Sequence, residues 1–412
     1  MQPLTRVTNV GGKCEIHVPD AVLQAVVSQD KVDEPPHSFY KYPARFSPAF
    51  ARAIIEGYSA KGDTVVDPFC GGGTSLVEAI SLGRRAVGFD ISSLAVFLTR
   101  AKTTPLSVHD RRALTEWAKV IESIERPAGE VAAAETEEEQ HSHRNLPGWA
   151  KAFFKAVLDL AKFLTKARQQ KFVRLVLLAV GQWALDCKTQ TPSWSAMRSE
   201  FCRRIGDNLE SHYAFLSRAA IANGLPRCRL TETRRVMNRS SEESDQDGRI
   251  PDEWLPAKLL LTSPPYPGVH VVYHRWQING RRETPAPFWL ADSRDGSGAS
   301  YYCLGSRDET ELETYFERLG KSFSSVRGLI GPDSIVVQLV AFSRPEWQLP
   351  SYLRSMEEAG FTELKPVCRK EYLVDGRVWR QVPGRKWYAK NRGEIPASQE
   401  VMLLHRAVDK RG

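Results

Sequence analysis

Two patterns of apolar and polar positions alternate along this chain. Short apolar runs end in polar or proline-rich turns and predict buried strands. Longer stretches, with apolar residues every third or fourth position, predict helices. The strand at Val65 and Val66 ends on Asp67, and Gly71, Gly72 and Gly73 follow after Pro68, Phe69 and Cys70. Leu76, Ala79 and Ile80 then share one face of a helix over Thr74–Leu82, and Ala86–Phe89 predicts a strand ending on Asp90. Leu259–Thr262 is another buried strand, closed by Ser263-Pro264-Pro265-Tyr266 because two prolines cannot continue a central strand. Ser334–Val340 and Val401–His405 add further strands, and Cys228–Arg234 is read as one more.

Helices are predicted over Ala49–Tyr58, Ser92–Lys102, Glu311–Arg327 and Tyr352–Ala359; Ser47 and Pro48 begin the first and Gly360 stops the last. Between the two groups of strands, Trp149, Phe153, Val157, Ala161 and Leu164 form one apolar stripe. Phe172–Leu185 is apolar almost all round, as in a buried helix, and a third helix runs from about Trp194 to Ala222. Strands alternating with helices predict an α/β fold: a doubly wound, mostly parallel sheet with helices on both faces, plus an α-helical insertion. The expected organisation is an N-terminal arm over 1–35, the glycine-turn half of the domain over 36–104, and an acidic linker with a basic helical insertion over 105–225. The second half of the sheet follows over 226–412.

A glycine-rich turn between a strand and a helix suits close approach of a ligand, because a Cβ would collide there. An acid about twenty residues further on, Asp90, is placed to bond a ribose diol. Tight strand-to-helix turns also need glycine for steric reasons alone. No Lys-Ser/Thr pair follows the glycines, which argues against a nucleoside-triphosphate loop. Asp67, Pro68, Phe69, Gly71, Gly73, Thr74 and Asp90 are the candidate cofactor-binding residues of this half.

Charge changes the picture at one place. The net charge is +8 and the isoelectric point about 9.1, which points toward a polyanionic partner. Arg144–Arg239 holds 18 Lys/Arg against 6 Asp/Glu, a net of +12, so the insertion more than supplies the balance. Part of that charge, in Arg227–Arg239, lies past the insertion itself. A basic helical face suits phosphate contact; an ordinary solvated face is the plain alternative. Asp110–His143, ending Ala-Glu-Thr-Glu-Glu-Glu-Gln-His-Ser-His, reads as a solvated acidic linker. Seven scattered cysteines without a CxxC pair argue for reduced thiols and against a metal site or disulfide framework. Cys70 is read as structural. No apolar run is long enough to span a bilayer and the amino terminus lacks a secretion pattern, so a cytoplasmic location is expected. After Tyr266, Arg275, Trp276, Arg281 and Arg282 suit a DNA-facing loop, with a structural role for Trp276 as the alternative.

Together DPFCGGGT and TSPPY resemble the S-adenosylmethionine-dependent amino-methyltransferases of DNA, which methylate an exocyclic amine of cytosine or adenine, and are most similar to the cytosine-N4 branch. The resemblance implies S-adenosylmethionine as cofactor, duplex DNA as substrate, a methyltransferase-type sheet, and a cognate restriction endonuclease as a partner. It also implies that Phe39, Lys41 and Pro43, in the segment HSFYKYPARFSP, pack against the methionine end of the cofactor, and that Glu232 meets its adenine. Ser263 and the Pro264 carbonyl would accept hydrogen bonds from the target amine, Pro265 would stiffen that carbonyl, and Tyr266 would stack on the flipped base. No nucleophilic cysteine and no metal are required. An adenine-N6 enzyme, an RNA amino-methyltransferase and a catalytically silent DNA-binding protein are the competing readings.

Overall fold

The computed structural model of the chain describes residues 12, 14–28, 34–42, 46–126, 136–267, 275–279, 282–296, 302, 304, 312–381 and 399–408. Its main sheet contains nine strands among these residues: β1 (Thr64–Asp67), β2 (Arg85–Asp90), β3 (Arg234–Asn238), β4 (Ala257–Thr262), β5 (Ile330–Ala341), β6 (Phe361–Glu363), β7 (Leu373–Val374), β8 (Arg377–Gln381) and β9 (Gln399–Ala407). The spatial order is β7-β8-β9-β5-β4-β1-β2-β3, with β6 also on β9. β3, β2, β1, β4 and β5 run parallel, whereas β6, β8 and β9 close the far edge by antiparallel pairing. The order reverses between β1 and β4, and ligands of open α/β sheets bind at that reversal, beyond the carboxyl ends of the strands.

Alternation along each strand sends side chains to opposite faces. Val65, Ala86, Leu259 and Leu261 meet the helices Pro48–Tyr58 and Thr74–Ser81 on one face. Val66, Val87, Phe89 and Leu260 meet Leu312–Val326 and Pro345–Glu358 on the other. The helix Pro48–Tyr58 starts as its sequence dictates, with Ser47 Oγ accepting from the Phe50 amide at 3.1 Å and Pro48 in the first turn. Pro345–Glu358 begins about two turns earlier than expected, with Pro350 inside it.

Two expectations about the middle of the chain are corrected. Val108–Glu122 is a helix, not part of a solvated linker; Ser107 and Asp110 form a reciprocal cap at its start. Leu114, Trp117 and Ile121 supply a thin apolar stripe that low average hydrophobicity conceals, and they join Leu94, Leu98 and the helices Gly148–Ala161, Ala167–Leu185 and Trp194–Asn223 in one core. The insertion is therefore fused to the sheet domain rather than tethered to it. Second, Arg227–Thr233 is a 3-10 turn, and the strand begins only at Arg234. Part of the positive charge of Arg144–Arg239 is also paired: Arg203 and Arg204 bond Glu200, Arg168 bonds Asp110, and Arg229 bonds Glu232.

The described part of the amino-terminal segment, residues 14–28, is integrated too. Glu15–His17 pairs parallel to Lys365–Val367, and Val22, Leu23 and Val26 of the helix Asp20–Val27 enter the same core as Ile54 and Ile55. No helix among the described residues is long and apolar enough to cross a membrane.

A candidate active-site cleft at the sheet reversal

A cleft open to solvent lies at the carboxyl rim of the sheet. Pro68, Phe69, Gly71, Asp90 and Ile91 line it from the glycine-turn half, and Ser263, Pro264, Pro265 and Tyr266 from the other. The two segments, nearly two hundred residues apart in sequence, meet because β1 and β4 are neighbours at the reversal. Asp67 fastens the meeting point. Its Oδ1 accepts from Thr262 Oγ1 at 2.7 Å and from the Phe69 amide at 3.1 Å, while Oδ2 accepts from the Ser75 hydroxyl. Burial pushes its pKa up to about 6, and these hydrogen bonds pull against that rise. Asp67 thus locks β1, β4 and the helix after the glycine turn; it borders, with Thr74, a smaller adjoining cavity.

The glycine turn owes its composition mainly to protein packing. Gly71 and Gly73 have φ of +48° and +80°, a region that suits glycine. A Cβ on Gly72 would lie 2.7 Å from Tyr42 Cβ, and one on Gly73 would lie 2.4 Å from Thr99 Oγ1. The turn's carbonyls are held from behind, Gly71 O by Thr99 Oγ1 and Gly72 O by Lys102 Nζ. Cys70 beneath them is buried, and burial, then Asp90 and Asp67, raise its thiol well above the usual range, which suits a structural residue rather than a nucleophile.

Asp90 stands at the end of β2. Its Oδ2 accepts from the Gly71 amide and its Oδ1 from the Ser92 amide, each at 2.8 Å. Burial raises its pKa to about 6 against the pull of those two amides. An ionised carboxylate has about four acceptor positions, so two remain for a ligand diol. With Phe69 and Ile91 as apolar walls beside it, the residues present fit an adenosyl group.

On the opposite wall Tyr315 donates to the Pro265 carbonyl at 2.6 Å. No hydrogen bond among the described residues takes up the Pro264 carbonyl. Ser263 Oγ donates to Tyr266 Oη at 3.1 Å, and Tyr266 donates to Glu400 Oε1 at 2.6 Å. Glu400, the second residue of β9, faces Arg380 of β8 across the antiparallel pair, and its Oε2 accepts from Arg380 Nε at 2.7 Å. Tyr266 is only 8% exposed and joins the sheet core, so it both lines the cleft and anchors it.

Several sequence candidates lie elsewhere. Phe39 is buried in the helical core near His212, and Lys41 is exposed; among the described residues of that segment, Tyr42 lines the cleft. The backbone of Lys41 is clasped at both its amide and its carbonyl by Gln182 of the insertion, at 3.0 and 2.9 Å, so the insertion fixes the approach to Tyr42. Pro43 lies outside the described residues. Glu232 is exposed, bonded to Arg229, at the amino end of β3. The opposite end of that strand leads to Ser240 and Ser241, which line the cleft. Displacement of the strand by a few residues explains the misplacement. Trp276 is 1% exposed, packed against Gly181 and donating to Tyr40 at 3.1 Å; it belongs to the core. Arg275 is held by Asp295 and Glu283. Arg282 is exposed in a short strand, and Arg281 lies outside the described residues. Ser240, Ser241, Tyr302, Leu304 and Arg318 complete the lining and carry no motif by which sequence alone would find them.

A family model described as DNA methylase matches residues 18–99, so the resemblance seen in the motifs extends over the glycine-turn half without deciding between the N4 and N6 branches. The Type II methyltransferase M.MvaI of Kocuria varians is 38% identical over 73 residues, 17% of this chain and 16% of its own length. A tRNA (guanine(10)-N2)-dimethyltransferase of Methanothermobacter thermautotrophicus is 37% identical over 89 residues, 21% of this chain and 26% of its own. The matched part thus spans only a minor share of either relative. The solved TrmN of Thermus thermophilus is 12% identical, with 88% of this chain and 49% of that one covered, at a TM-score of 0.33.

Proposed function

We propose that the chain is an S-adenosylmethionine-dependent DNA methyltransferase that modifies the N4 amine of a flipped-out cytosine, in a restriction-modification or related defence system. The observation that carries this reading is the convergence of Asp90 and Ser263 on one cleft. When bound, S-adenosylmethionine supplies an electrophilic methyl group. Asp90 accepts from the ribose diol, with Phe69 and Ile91 beside the adenine. Ser263 Oγ and the Pro264 carbonyl each accept one hydrogen of the target amine, which draws its lone pair out of conjugation and aims it into the cleft. Tyr266 offers its ring to the everted base. Positioning of this kind removes about 7 kcal/mol or more of barrier when well aligned. Ser at the head of the proline pair, where adenine-N6 enzymes usually carry Asp, supports cytosine over adenine. The similarity to a tRNA methyltransferase favours a second reading, an RNA amine as acceptor.

The test is transfer of tritiated methyl from S-adenosylmethionine to duplex DNA and to tRNA, followed by digestion to nucleosides. The expected product is N4-methylcytosine from the duplex. N6-methyladenine would reassign the base, and label confined to tRNA would replace the DNA reading.

A further inference from the structure

Ser263 can serve the reaction only if its lone pairs, rather than its hydrogen, face the amine. A free hydroxyl rotates between the two, and a donor aimed at an amino hydrogen is repelled. The contacts around it fix the choice. Arg380 has donors only, and two of its nitrogens, Nε at 2.7 Å and Nη2 at 2.6 Å, claim Glu400 Oε2. A carboxylate paired in this way is an acceptor only. Tyr266 therefore gives its single hydrogen to Glu400 Oε1, its oxygen must accept from Ser263, and the serine hydrogen is committed away from the cleft. Arg380 and Glu400 are both nearly buried, with 2% and 6% of their side chains exposed, so water does not readily substitute for either partner.

We propose that Glu400 is a positioning residue that sets the hydrogen-bond polarity of Ser263. The inference rests on the role given to Ser263 in the proposed methyl transfer. The chain Arg380–Glu400–Tyr266–Ser263 spans β8, β9 and the turn after β4, and it exists because β9 runs antiparallel: its first residues lie beside the rim where β4 and β5 end. The chemistry is one of direction rather than charge at the amine. Glu400 is not among the residues that line the cleft.

Glu400→Gln tests this without changing shape. Arg380 would claim the amide oxygen and turn the amide nitrogen toward Tyr266. The phenol oxygen would then accept, its hydrogen would pass to Ser263, and the serine hydrogen would point into the cleft. Single-turnover methyl transfer to DNA should slow by about 10- to 100-fold, the scale on which loss of an outer partner that orients a site residue is felt. S-adenosylmethionine affinity should stay within about twofold of wild type, since Asp90 is untouched. In a Ser263→Ala background the same change should add no further slowing, because no hydroxyl remains to be turned. Tyr266→Phe, which keeps the ring and cuts the chain, provides a second arm should the buried pair not tolerate the amide: Ser263 is then free to rotate, a loss smaller than that of Ser263→Ala is expected, and a rate equal to wild type overturns the proposal. So does a wild-type rate in Glu400→Gln, or an equal slowing by Glu400→Gln with and without Ser263. Absence of transfer by the wild-type chain would instead bring down the functional reading, and this inference with it.

Discussion

Thr262→Val removes one hydroxyl from the junction of the two halves and keeps the branched shape that β4 requires. Thr262 is fully buried, and its hydroxyl donates to Asp67 Oδ1 at 2.7 Å. A hydrogen bond to an ionised partner contributes about 1.5–3 kcal/mol, against about 0.5–1.5 kcal/mol for a neutral one. Which value applies depends on pH. Burial raises Asp67 to about 6, above the ordinary carboxylate value. A carboxyl with a raised folded pKa stabilises the fold fully below its unfolded pKa, about 4, and loses that contribution as pH rises through 6. The Thr262 bond offsets part of the loss, because it favours the ionised form. Removing it raises Asp67 further and leaves ionisation less compensated. The expected destabilisation is therefore about 2–3 kcal/mol at pH 8 and about 1 kcal/mol at pH 5. Urea unfolding midpoints of wild type and variant at the two pH values measure the difference. An equal or larger loss at pH 5 would refute the assignment of Asp67 as the ionising partner, and no loss at pH 8 would refute the lock itself.

Asp90→Ala should weaken S-adenosylmethionine binding by at least tenfold in calorimetry while Ser263→Ala leaves it near normal; the reverse pattern exchanges the two roles. Because burial holds Asp90 at about 6, its carboxylate is protonated below that pH and loses acceptor strength, so wild-type affinity should fall as pH drops through 6; a flat profile from pH 5 to 8 would contradict this. Gly72→Ala places a methyl 2.7 Å from Tyr42 Cβ, attached close to the backbone, and should cost about 1–3 kcal/mol in unfolding free energy with weakened cofactor binding; a neutral variant would mean the turn is looser than its packing implies. Trp276→Ala should lower stability by about 3–5 kcal/mol as a core cavity, and a stable variant defective only in DNA retention would restore the loop reading.

The glycine-turn half is legible because its signals are local. Val65 and Val66 before Asp67, three glycines, and Asp90 at the end of the next strand encode a strand, a turn that needs positive φ, and a second strand. The two prolines after Ser263 end β4 where the pattern says they must. Weakly marked features escape the same reading. The stripe Leu114, Trp117 and Ile121 is too thin to raise the average hydrophobicity of an acidic stretch, and Glu232 was assigned to a rim it does not reach because the start of β3 has no sharp marker.

By itself the sequence determined most elements of this protein and the two turns that line its cleft, since periodicity, glycine and proline act on the backbone within a few residues. Tertiary structure alone decided what those turns meet. Crossover order puts Thr262 on Asp67, strand register puts Glu400 opposite Arg380 and within reach of Tyr266, and Gln182 of the insertion clasps the backbone before Tyr42. Such partners lie tens to hundreds of residues apart, and no local propensity encodes them: they are fixed only when apolar burial selects one register and one packing for the whole sheet.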